Sequence, residues 1–162
     1  MKIKLLIIAM LSLAYASFCQ KQGRNDARSD TWETEMDDAV VREALNRHWD
    51  ASDVNDFDVE HEIYRADAVL DYPQSGERIR GRDNIQERRF VQPSKKRFTV
   101  RRIIGGGDLW VTEFVLAYDG IPSYAVSIME FREGRVAKET QYFANPFEPA
   151  PSRAHLVERA SD

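Results

Sequence analysis

YRADAVLDYPQSGERIRGRDNIQ, residues 64–86, holds a complete architectural unit in one short segment. Ala68 to Tyr72 reads as a short, mostly apolar strand, and Pro73 with Gly76 punctuates a turn. A second strand is expected at Glu77–Arg80. Gly81 ends it, and Asp83 or Asn84 can cap a helix that starts at Ile85. Strand, tight return and helix in so few residues open a curved α+β domain folded around a cavity. A cavity makes a small ligand the first functional question.

Upstream, Trp32, Met36, Val40, Ala44, Leu45, His48 and Trp49 recur at three- and four-residue spacing. That is the stripe of an amphipathic helix, which Asp30 or Thr31 can cap. A short second helix is expected from Val54 or Asp56 to Tyr64, burying Phe57, Val59, Ile63 and Tyr64. Downstream, the third helix ends by Val91, ahead of Pro93. The period then becomes two. Strands are expected at Arg97–Ile104, Leu109–Tyr118, Ser123–Phe131 and Arg135–Phe143. They are separated by Gly105-Gly106-Gly107, Asp119-Gly120 and Glu133-Gly134. Pro146, Pro149 and Pro151 imply an extended closing segment. Helices followed by hairpin-linked strands define an α+β domain.

The chain has 162 residues, enough for one domain and an N-terminal extension. Lys2 and Lys4 precede an apolar run from Leu5 to Ala16, and Ala14-Tyr15-Ala16 is a small-residue cleavage signature. Residues 1–19 therefore read as a signal peptide, cut after Ala16 or after Cys19, with lipid anchoring through Cys19 the lesser alternative. Residues 20–31 read as a disordered linker and 32–160 as the domain, secreted or periplasmic. No other segment is long and apolar enough to span a membrane.

The net charge of −4 argues against nucleic acid as a partner. The lone Cys19 excludes an intrachain disulfide. His48, His61 and His155 have no metal-ligand spacing, so neither metal nor cofactor is expected, and His61 is placed on the outer part of its helix. Acidic residues crowd Asp26–Asp71 and basic ones Arg78–Arg102, including Arg88-Arg89 and Lys95-Lys96-Arg97. Solvated surfaces with salt bridges between the two stretches are expected.

The element order resembles the nuclear transport factor 2-like superfamily and, within it, the SnoaL-like group of polyketide-cyclase-like and steroid-isomerase-like proteins. The resemblance is carried by Tyr64-Arg65-Ala66-Asp67-Ala68, Tyr72-Pro73, Gly76, Gly81 to Ile85, Phe131-Arg132-Glu133-Gly134-Arg135-Val136, Tyr142 and Asn145-Pro146. It spans about Asp37 to Glu158. It implies a strongly curved, mixed, mostly antiparallel sheet of about six strands wrapped on three helices. The result is a cone with an internal pocket, and a homodimer through the outer face of the sheet. The fold hosts isomerases, cyclases, dehydratases, hydrolases and binders, so it does not fix an activity.

Steroid isomerases of this fold use a carboxylate base before the strand-ending proline, a tyrosine on the first helix and a protonated acid on a central strand. Carried over by motif, these positions fall on Tyr72, His48 and Ser127. None matches, which argues against that mechanism.

Strand alternation from Ser127 turns Met129 inward, and on neighbouring strands Trp110, Thr112 and Phe114, then Glu139, Gln141 and Phe143. With Trp49 these line a cavity for a small, largely apolar ligand. His48, Glu139, Tyr72 and Ser127 are the candidate catalytic groups. His48 and Glu139 would form an acid/base pair, with the carboxylate favouring protonated His48, while Tyr72 and Ser127 polarise an oxygen. The alternative is a binding module in which the same residues are structural.

Overall fold

The computed structural model describes residues 37–92 and 95–158. The proposed signal peptide, linker and the helix caps at Asp30 or Thr31 lie outside the described residues.

Helix α1 spans Asp38–Val54. It starts at Asp38 because Asp37 is extended (φ −62°, ψ 117°) and its carboxylate accepts the Ala39 amide at 2.8 Å. Its apolar stripe buries Val41, Leu45, His48 and Trp49. Asn55, left-handed at φ 61°, closes it. Helix α2 is a single turn, Phe57–His61, capped by Asp56.

The expected continuation of α2 to Tyr64 does not occur. Val136 N–H bonds to Ile63 O at 2.9 Å, and Tyr64 pairs with Val136, so the sheet captures this backbone. Strand β1 therefore runs Tyr64–Tyr72, and β2 is Glu77–Arg80 as expected. Helix α3 is Arg82–Phe90 and starts at Gly81, whose φ of 89° suits glycine. Neither Asp83 nor Asn84 caps it; the Asn84 amide instead donates to Arg80 O at 2.7 Å.

Strands β3 (Lys96–Gly106), β4 (Leu109–Tyr118), β5 (Ile121–Arg132) and β6 (Arg135–Ala144) follow. The closing segment is not wholly extended: Pro151–Leu156 forms a 3-10 turn with proline in its first position.

The six strands form one open mixed sheet in the order β2-β1-β6-β5-β4-β3. Only β1 and β6 run parallel. Strand parity puts Trp110, Thr112, Phe114 and Leu116 of β4 against the helices, all at most 3% exposed. Leu45 and Trp49 of α1 and Ile85 of α3 complete this core. Each such large apolar side chain contributes about 1.5–3 kcal/mol on burial.

Surface expectations are corrected at His61 and Lys96, and at Glu60 and Arg89, whose ion pair is buried. His61 is 2% exposed, stacked on Tyr64 at 5.8 Å, with Nδ1 2.6 Å from Phe57 O. Lys96 is 6% exposed, its ammonium lying between the rings of Phe57 and Phe98. The salt bridges between acidic and basic stretches do form: Asp71–Arg78, Glu60–Arg89 and Asp53–Arg97. No described helix is long and apolar enough to cross a membrane.

Candidate functional site

The hairpin registers bring the polar groups of the inner face into one row. Ser127 stands opposite Thr112 on β4 and Gln141 on β6, and Met129 stands opposite Trp110 and Glu139. Glu139 and Ser127 have no exposed surface. A buried carboxyl group needs donors, and this one has three. Ser127 Oγ and the Gln141 amide each donate to Glu139 Oε1 at 2.6 Å, and the Tyr64 hydroxyl donates to Oε2. Glu139 thus ties β1, β5 and β6 together. Burial, then the charge of Glu139, pushes the Tyr64 phenol well above its usual range, so it stays protonated.

His48 lies across Tyr64 from Glu139. Its ring meets that of Tyr64 edge-on at 5.7 Å and makes no hydrogen bond to Glu139. Nδ1 is 2.6 Å from Glu60 O. A carbonyl oxygen only accepts, so Nδ1 carries the proton and Nε2 of the neutral ring holds the lone pair. The expected protonated imidazolium is corrected. Burial lowers the pKa of His48 and outweighs the opposing charges of Glu60 and Glu139, so the ring is neutral.

Glu60 is itself held. Arg89 Nε donates to Glu60 Oε1 at 2.6 Å, and the guanidinium also reaches Gln92 at 2.9 Å and Ser52 at 3.3 Å. Burial pushes the Glu60 carboxyl up, but Arg89, His48, His61 and Ser52 together bring it below its usual value. Arg89 therefore fixes the short helix whose carbonyl orients His48.

Tyr72 stands apart from the Glu139 set, at the end of β1 before Pro73. Its ring packs 5.9 Å from Phe143 and lies beneath the Arg88 guanidinium at 4.4 Å. Burial raises its pKa, and its hydroxyl makes no hydrogen bond to a described residue. A depression of about 320 Å³ lined by Tyr72, Gln74, Ser75, Glu77, Phe143 and Asn145 opens beside these two rings.

The side chains expected to line the cavity lie in the packed core or beside it. Trp49 packs on Phe114 at 4.7 Å and donates to Thr112 Oγ1 at 3.1 Å. Trp110 turns its indole N–H to Gly107 O at 2.9 Å, so only its apolar surface faces the interior. Among the described residues, no three His, Cys, Asp or Glu side chains converge on a metal-sized space.

Four residues of this arrangement were not legible as site residues: Tyr64, Glu60, Arg89 and Lys96. Tyr64 shares the parity of Ala68, Leu70 and Tyr72, which was an available signal. The other three belong to charged runs and carry no comparable mark.

The SnoaL-like domain profile matches residues 41–139. A nuclear transport factor 2-like protein of unknown function from Burkholderia xenovorans is 55% identical, with 76% of this chain and 97% of that one covered and a TM-score of 0.71. A ketosteroid isomerase candidate from Kribbella flavida is 24% identical, with 76% and 92% covered and a TM-score of 0.71. An epoxide hydrolase of the LEH-like type from M. tuberculosis is 21% identical, with 65% and 83% covered and a TM-score of 0.55. These last two share the fold. Among curated proteins, none matches. The match over most of the domain, the six-stranded mixed sheet and the close likeness to the Burkholderia protein agree: this chain belongs to the SnoaL-like domain family.

Proposed function

We propose that this domain binds a small, largely apolar molecule inside its cone and carries out cofactor-free acid/base chemistry on it. The observation that carries the reading is the neutral His48, its tautomer set by Glu60 O, lying across Tyr64 from the buried Glu139. His48 Nε2 is the proton acceptor. Tyr72, a protonated phenol without a hydrogen-bond partner among the described residues, donates to a substrate oxygen. Glu139 holds Tyr64 and Ser127 in place and balances positive charge that develops on His48. The reaction class is proton transfer of the isomerase, cyclase, dehydratase or hydrolase kind. A phenol at Tyr72 leaves no carboxylate base before Pro73, so the base is the imidazole.

The test is α-proton exchange of 2-tetralone in D2O, followed by proton NMR. Wild type should accelerate exchange, and His48→Gln should lose about 100-fold while still binding the ketone. Equal exchange by the two proteins refutes the catalytic role. Binding without exchange selects the second reading, a non-catalytic binding module. The complete burial and internal satisfaction of Glu139 favour that reading.

Export after removal of residues 1–19, and homodimerisation through the outer face, belong to the same proposal. That face carries exposed Tyr124 and Tyr142 beside half-buried Val126 and Ile128. The intact mass of protein recovered from the periplasm or medium tests the first. Sedimentation of wild type against Tyr142→Asp tests the second.

A further inference from the structure

Phe98 and Tyr72 are each shared between two environments. Their inner sides meet Trp49 and Phe143, at 5.9 Å in both cases. Cations cover them on other sides. Lys96 Nζ is 5.2 Å from the centre of Phe98, Arg89 is 5.3 Å from the same ring, and Arg88 is 4.4 Å from Tyr72.

Among the described residues, Arg89 alone of these cations has an ion-pair partner, Glu60. Lys96 is 6% exposed, and its Nζ has no hydrogen-bond partner among the described residues. Arg88 makes no ion pair with a described residue. Glu60 Oε2, in the same cluster, is buried and also without a hydrogen-bond partner among the described residues. The cluster thus holds one ammonium and one carboxylate oxygen without hydrogen bonds, and one guanidinium without an ion pair, against the rings of Phe98 and Tyr72. Glu60 and Asp53 both act on the Lys96 charge, yet neither hydrogen-bonds its ammonium, and a buried ammonium without an acceptor is costly.

We propose that Lys96 and Arg88 form a subsite for the carboxylate end of a small organic acid whose apolar body lies in the cone. The carboxylate takes the Lys96 ammonium on one side and the Arg88 guanidinium on the other. A hydroxyl next to it donates to Glu60 Oε2. Charge-assisted hydrogen bonds of this kind are the strong ones, and their desolvated setting gives selectivity over a neutral analogue. The titration of Lys96 agrees: burial, then Arg89, lowers it to about 8, so a bound anion has room to raise it. This subsite extends the cone-binding reading and rests on it.

The probes are benzoate and benzamide, which share shape and differ in charge, titrated into the full chain at pH 7 by NMR. Benzoate is expected to bind at least about ten-fold more tightly than benzamide. Lys96→Met should abolish that preference. In wild type, the Cε signal of Lys96 should report a higher titration midpoint with benzoate and no change with benzamide, an arm that needs no variant. Equal binding of the two probes overturns the subsite and leaves the cone reading standing. Absence of binding by both overturns the cone reading and the subsite with it. A preference that survives Lys96→Met also overturns the assignment.

Discussion

Replacing Arg89 by methionine would cut the link from α3 through Glu60 to His48. The change removes the guanidinium from an ion pair whose carboxylate is 1% exposed and whose cation is 10% exposed. Methionine keeps the stem that lies along Phe98 but leaves Glu60 buried and unpaired. Breaking one side of a buried pair costs about 3–5 kcal/mol. With a urea slope of about 2 kcal/mol/M, the midpoint at pH 7 should fall by about 2 M.

The pH dependence gives the sharper check. In wild type the folded-state pKa of Glu60 lies below its ordinary 4.5, so the stability it contributes is present above 4.5 and is lost as the pH falls through the lower value. Without Arg89, burial dominates and Glu60 takes up a proton instead. The difference between the two proteins should therefore shrink between pH 7 and pH 4. Glu60→Gln on the Arg89→Met background should recover much of the loss, because it removes the stranded charge. A penalty under about 1 kcal/mol at pH 7, or one that stays constant down to pH 4, refutes the buried ion pair as the support of His48.

Tyr64→Phe leaves Glu139 Oε2 without its donor and should cost about 1–3 kcal/mol in urea unfolding; an unchanged midpoint would mean the contact is not made. Lys96→Met should raise stability at pH 7. Folded Lys96 titrates near 8 against 10.5 unfolded, so the gain should fade as pH climbs through that window, as pH-dependent melting will report. Long-range proton–nitrogen spectra should place the His48 proton on Nδ1 and its midpoint below 6.5; a proton on Nε2 would remove the proposed base. Gly105→Ala would put a Cβ 2.4 Å from Leu109 O and 2.7 Å from Trp110 Cα, and should cost about 1–3 kcal/mol or more.

Much of the inner face of the sheet was legible because hairpins convert sequence parity into geometry. Asp119-Gly120 and Glu133-Gly134 supply the positive φ angles of tight turns, at 50° and 82°, then 52° and 77°. With those turns fixed, Trp110, Thr112, Ser127, Met129, Glu139 and Gln141 had to share one side, and they do. Tyr64 was harder. It follows a helical turn, and the ladder shifts register between Tyr64 and Val69, so local pattern favoured the helix while β6 claimed the strand. Glu60, Arg89 and Lys96 looked like solvated surface because charge runs usually are. Their burial is decided where α1, α2, α3 and β3 meet, a packing of distant segments that no local spacing encodes. The state of His48 was misread for a related reason: a nearby carboxylate was legible, and the extent of its desolvation was not.

The interior of the cone as a ligand site is tested most directly at Trp49, whose indole N–H reaches Thr112 between β4 and α1. Titrating 2-tetralone into the full chain while following indole N–H signals asks the question without a variant. The expected result is a saturable shift of the Trp49 signal, accompanied by the backbone amides of Ser127 and Glu139. Shifts confined to outer-face residues such as Tyr124 and Tyr142, or no saturable shift at all, would contradict a ligand-binding cone.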